Sequence, residues 1–227
     1  MENKLDLFES VKSEALTEIT PEILETSLDA ILDNEVLKDI PMVGLVFKSF
    51  GLYQKISEAF FLKKLLTFLH RVNEISFEER LNFVNKLESN DNTKRAGEKL
   101  LITLNRLDDI DKSSMIGNLL KHTILGKISY EDFSLLSHMI DNSYVNDLNK
   151  INDNPKLYRI DESTLLRLYK SGFVNQKISD VKKQLQNQRD VTFNREQNGV
   201  IQPRFEYKSN QFAITLAQYG FDSRTPI

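Results

Sequence analysis

Residues 39 to 69 read DIPMVGLVFKSFGLYQKISEAFFLKKLLTFL, an apolar run that opens beside a proline, holds two glycines and is broken at intervals by lysine. From Ser57 onward Phe61, Leu65, Phe68, Leu69 and Val72 recur with the 3.6-residue pitch of an α-helix, and Leu62 and Leu66 widen the apolar face. Pro41 suits the first turn of a preceding helix, and the division between the two is expected at Gly51 or Ser57. In that preceding helix Gly44, Phe47 and Gly51 fall at spacings of three and four, a narrow face with little bulk that lets another backbone come close. Three uses of the stretch compete. As a buried helix pair, Lys48, Lys55, Lys63 and Lys64 point to water while Leu45, Phe60, Phe61, Leu65 and Leu69 fill a core. As a membrane-interface segment, the same lysines meet anionic lipid and the Phe and Leu side chains enter the bilayer surface. As a partner-binding or self-associating face, Gly44 and Gly51 permit close contact.

Helical pitch continues in both directions from this run. Upstream, Leu5 to Leu16 and Glu22 to Leu32 each read as one amphipathic helix with an acidic outer face, separated at Thr20 and Pro21. Downstream, Ser76 with Glu79 has capping-box spacing and opens a helix through Leu81, Phe83, Val84 and Leu87. A helix over 93–107 follows, with Ala96, Leu100, Leu101, Leu104 and Leu107 inward. Asp108, Asp109 and Asp111 break and recap the chain, and Met115, Ile116, Leu119, Leu120, Ile124 and Leu125 form the next face, closed by Gly126. Ser129 with Asp132 starts another helix carrying Phe133, Leu136, Met139 and Ile140. The expected N-terminal domain, residues 1–152, is thus a multi-helix bundle of seven to nine short helices. No 20-residue uncharged run exists for a conventional transmembrane helix.

The pattern changes after Asn152. Asp161 caps a helix containing Leu165, Leu166, Leu168 and Tyr169 that ends at Gly172, and Phe173 and Val174 turn back into a core. A Gln-rich stretch follows. VTFNREQNGVIQPRFEYKSNQFAITL then alternates as two or three short strands, with a hairpin at Asn198 and Gly199 and a last strand ending at Ile214 and Thr215. That order is expected to form a second domain over 153–227, a small winged-helix-like α+β unit.

Charge is laid down in blocks. Residues 1–39 hold eleven acidic and three basic side chains, 40–72 one and five, 73–155 fourteen and ten, and 156–208 six and eleven. Opposed blocks pair within a fold or steer a charged partner. In the last block Lys177, Lys182, Lys183, Arg189, Arg195 and Arg204, with Arg167 and Lys170, would flank the second helix and wing and supply phosphate contacts. The absence of cysteine removes disulfides, thiolate metal sites and thiol nucleophiles. With no apolar core behind the first lysine, no secretory signal is expected, and the protein is expected to be cytoplasmic, at most peripheral at the inner membrane.

No phosphate-cradling glycine loop, nucleophile elbow or H-E-x-x-H occurs, and His70, His122 and His138 lie on separate helices without carboxylates at ligand spacing. The Asp108, Asp109 and Asp111 run lacks the glycine and distal glutamate of a calcium loop and reads as a helix boundary. Glu78 and Glu79 sit in a first helical turn, where the helix dipole favours them. No catalytic residue, metal or cofactor is expected.

LLRLYKSGFV, followed after an insertion by FAITLAQYGF, resembles the closing part of the bacterial Abi-alpha (abortive infection alpha) family. Leu166, Leu168, Tyr169, Gly172, Phe173 and Val174 match its helix-to-strand element, and Ile214, Thr215, Leu216 and Gly220 its terminal element. VLKDIPMVG, FFLKKLLTFL and SFEERLNF are similar to a group of bacterial proteins often found near prophage or defence genes. The resemblance implies a role in bacterial phage defence or prophage immunity; with no catalytic motif present, a non-enzymatic protein acting through a protein partner, self-association or an anionic membrane surface is expected. The residues expected to carry it are Gly44, Phe47, Lys48, Gly51, Lys55, Phe60, Phe61, Lys63 and Lys64. A nucleic-acid-binding regulator acting through the C-terminal unit is the alternative.

Overall fold

The acidic N-terminal region folds in short pieces where two longer helices were expected. It runs as α1 (Leu7–Val11), a 3₁₀ turn (Glu14–Glu18), α2 (Pro21–Glu25) and α3 (Leu28–Leu32). Two of the breaks fall at Ser13 and Ser27, whose side-chain oxygens accept from the Ala15 and Ala30 N–H groups and restart the chain. Local capping overrides the apolar pitch there. The computed structural model describes residues 7–49, 55–89, 95–178 and 205–221.

A second 3₁₀ turn (Val36–Asp39) leads to α4 (Pro41–Ser49), with Pro41 at its first position, and then to α5 (Lys55–Asn73). Of the two divisions expected, Gly51 lies outside the described residues, and Ser57 does not divide the chain but lies in the first turn of α5. The bundle continues through α6 (Phe77–Glu88), α7 (Ala96–Arg106), α8 (Ile110–Ile124), α9 (Tyr130–Asp141) and α10 (Val145–Asp153). The start signals act as their spacing predicts. Ser76 Oγ accepts from Glu79 N–H and donates to Glu79 Oε2 at 2.6 Å, while Asp109 and Ser129 cap α8 and α9. Gly126, at φ 70°, takes the left-handed turn that ends α8.

The core forms around α5. Leu62, Leu65, Leu66, Phe68, Leu69 and Val72 have no exposed surface, and the principal partner of α5 is α8, which buries Met115, Ile116, Leu119 and Leu120. Gly117 permits this pairing: a Cβ there would lie 2.8 Å from both Arg71 Cβ and the Phe68 carbonyl oxygen. Among the described residues no helix is long and apolar enough to cross a membrane.

Three buried cations close helix ends that lack a glycine cap. Arg80 Nη1 donates to the carbonyls of Val11 and Ser13 at 2.9 and 3.0 Å, sealing α1. Lys64 Nζ donates to those of Asn105 and Leu107 at the end of α7. Lys112 reaches the Asp141 carbonyl at the end of α9 and pairs with Asp108 at 2.6 Å. Each places positive charge on the negative end of a helix dipole and satisfies carbonyls that would otherwise be orphaned.

At the C-terminus α11 (Glu162–Lys170) is capped by Asp161 and ends at Gly172, φ 96°. Phe173 and Val174 enter the core, and β1 (Val174–Ile178) pairs antiparallel with β2 (Phe205–Ser209), Val174 opposite Ser209 and Ile178 opposite Phe205. The last strand expected through Ile214 and Thr215 is instead a helix, α12 (Gln211–Tyr219). Asn210 explains the change: its side chain accepts from the Phe212 and Ala213 N–H groups, and Ala213 and Leu216 bury one helical face. The described order is therefore helix, strand, strand, helix; the hairpin expected at Asn198 and Gly199 lies outside the described residues.

The domain boundary expected at residue 152 falls on the penultimate residue of α10. One core continues across it, taking in Leu168, Phe173, Ala213 and Leu216 with the bundle. Helix α12 packs on α10 and α8; Asn118 Nδ2 donates to the Gly220 carbonyl at 3.3 Å, and the His122 and Tyr219 rings lie 4.7 Å apart.

Candidate functional site

Where α4, α5 and α7 meet, their side chains leave a groove of about 380 Å³. Each wall is one helical ridge. Met42, Leu45 and Val46 come from α4, Glu58 and Phe61 from α5, and Leu101, Ile102 and Asn105 from α7, at the i, i+3 and i+4 spacings that align side chains along a helix. Met42 and Val46 belong to the core, Leu45, Phe61 and Leu101 are half-buried, and Ile102 is 52% exposed. Glu58 is the only ionisable residue among these lining residues. Its Oε2 is shielded from solvent and has no hydrogen-bond partner.

Lys64 fixes the spacing of two of these walls. Its ammonium passes beneath α7 to the Asn105 and Leu107 carbonyls and lies 5.0 Å from the Phe60 ring. The residue is 2% exposed, so the expectation that it points to water or lipid is overturned. Burial pushes its pKa below the usual lysine value, while Asp108 and then Asp141 draw it back. The periodicity that put Lys64 outward could not register acceptors 41 and 43 residues downstream.

The other residues singled out in this stretch separate into different roles. Gly44 lies against the chain's own 3₁₀ turn: a Cβ there would stand 2.3 Å from the Lys38 carbonyl oxygen, so its lack of bulk is used internally. Phe47 packs partly against the core, and Phe60 is 37% exposed. Lys48 is exposed in the last turn of α4, where a cation suits the dipole, and Lys63 is half-buried. Lys55 begins α5, and Gly51 lies outside the described residues. Of the basic residues considered for nucleic acid, Lys177 is exposed on β1; Lys182, Lys183, Arg189, Arg195 and Arg204 lie outside the described residues.

The α7 wall was not anticipated, since nothing local ties it to α4 and α5. One signal existed: Ile102 is apolar yet falls off the face made by Ala96, Leu100, Leu104 and Leu107.

The polar residues considered for chemistry have structural partners. His70 Nδ1 lies 2.9 Å from the Ile19 carbonyl oxygen, His122 Nδ1 2.9 Å from that of Asn118, and both ring nitrogens of His138 lie near Asn142 Nδ2. Asp109 accepts from Asp111 N–H, and Asp108 pairs with Lys112. Among the described residues no three His, Asp or Glu side chains gather as a metal-binding group. No family model, curated protein or solved structure matches the chain.

Proposed function

We propose that this chain is a non-enzymatic interaction protein that receives an apolar segment of a protein partner in the groove between α4, α5 and α7. The observation that carries the reading is the exposed Ile102 beside half-buried Leu45, Phe61 and Leu101. They form a concave apolar surface where three helices meet. The setting implied by the resemblance, bacterial phage defence or prophage immunity, is retained as the role this binding serves.

The membrane-interface reading draws on exposed Lys48 and half-buried Lys63. Of its named aromatics Phe60 is exposed while Phe47 and Phe61 are half-buried, and against it Leu62, Leu65, Leu66, Phe68 and Leu69 of the same stretch are fully buried.

A photoreactive benzoylphenylalanine at position 102 tests the reading in cells, with Leu135, 47% exposed on α9, as the control position. A discrete polypeptide adduct from position 102 and not from 135 is the expected outcome. The same adducts from both positions, or none from 102, would refute the groove as a binding site.

A further inference from the structure

We propose, resting on that groove reading, that the occupant is a short amphipathic helix carrying a lysine or arginine beside its apolar anchors, and that this cation pairs with Glu58. Two features of the groove define such a ligand. First, its three walls are helical ridges about one turn long, the surface into which the i, i+3 and i+4 side chains of another helix interdigitate. Its volume, near the lower end of the ~300–1,000 Å³ typical of ligand sites, suits a few anchoring side chains.

Second, among the described lining residues the trough is apolar except for Glu58 and the amide of Asn105. Glu58 lies one turn before Phe61 on α5, with Oε2 out of solvent and without a donor. A carboxylate oxygen in that position has given up water without receiving a hydrogen bond in exchange. Lys64, farther along α5, is committed to the Asn105 and Leu107 carbonyls. An occupant that brings its own ammonium or guanidinium supplies the missing donor, and an acidic occupant is repelled. Anchor burial gives such a ligand its affinity, and Glu58 gives it selectivity.

Phage display of a 16-residue helical library against the full chain, with counter-selection on Ile102→Glu, tests this. Labelled synthetic peptides are then measured by fluorescence anisotropy. The expected result is an enriched pattern of apolar residues at i, i+3 and i+4 with a Lys or Arg at a fixed offset. Replacing that basic residue by Gln should weaken binding to the wild-type chain about tenfold, and the preference should vanish on Glu58→Gln. Because the Lys-to-Gln comparison is made on the wild-type chain, it holds even if the Glu58 variant misfolds. Enrichment of peptides with no basic residue, or equal binding of the Lys and Gln forms, overturns the Glu58 pairing and leaves the groove reading standing. No enrichment over Ile102→Glu overturns both, as does co-sedimentation with anionic phosphatidylglycerol vesicles that Ile102→Glu abolishes while no peptide binds.

Discussion

Lys64 Nζ lies 2.7 Å from the carbonyl oxygen of Asn105, and the last turn of α7 is thereby closed by a cation from α5. Removing the ammonium leaves two inward carbonyls without a donor. Lys64→Ala is expected to cost about 2–4 kcal/mol in urea denaturation, whereas Lys63→Ala next to it should stay within about 0.5 kcal/mol. Equal effects of the two substitutions would contradict the capping role.

The same lysine should leave a trace at alkaline pH. Its folded pKa lies below the ordinary value, chiefly through burial. Between the folded value and about 10.4 the unfolded chain binds more protons, so this group's contribution to stability grows as pH rises and is complete above that limit. Denaturation midpoints of wild type and Lys64→Met, compared from pH 8 to 10.5, should differ in slope, with the wild type more positive.

Acid acts through the ion-paired Asp108 and the capping Asp161. Asp108 is held below the usual carboxylate range chiefly by its hydrogen bond with Lys112, and Asp161 by those with Ser163 and then Thr164. Both contribute stability that is fully present above the unfolded value near 4 and is lost as pH falls through the folded values. Asp161→Asn keeps a cap acceptor but removes the titrating charge. Its stability should fall less steeply than that of the wild type between pH 4 and 2.5.

Gly117→Ala sets two effects against each other. Alanine improves helix propensity by about 1 kcal/mol, but its methyl group meets the Arg71 side chain and the Phe68 backbone at 2.8 Å. Overpacking of this kind costs about 1–3 kcal/mol, and one partner is backbone that cannot rotate away. The variant should melt several degrees below the wild type by circular dichroism. A raised melting temperature would show that α5 and α8 can separate without penalty.

Groove variants should divide stability from binding. Ile102 is half exposed, so Ile102→Glu should unfold at the wild-type urea concentration. Leu62→Ala, outside the groove in the fully buried face of α5, should lose about 2–5 kcal/mol.

Much of the helical fold was legible because its signals are local. Ser76 with Glu79, Asp109, Ser129 and Asp161 announce helix starts within three residues, and the pitch from Phe61 to Val72 identifies α5. What escaped had long-range or competing causes. The pitch over 22–32 concealed the Ser27 cap, and the alternation around Ile214 concealed the Asn210 cap that makes α12 a helix. Two walls of the groove lie in the quoted stretch; the third comes from α7, about 40 residues away, and only packing unites them. The spacing of Gly44 predicts close approach of another backbone, and that backbone is the chain's own turn at Lys38. Gly117, which governs the central helix pair, carries no local signal, because its close neighbours Phe68 and Arg71 lie on another helix.

Arg80 and the two carbonyls it meets stand 69 and 67 residues apart in the chain. During synthesis, then, the first helix leaves the ribosome without the group that terminates it and acquires that group only when α6 emerges. The end of α1 is thus completed by a portion of the polypeptide translated much later.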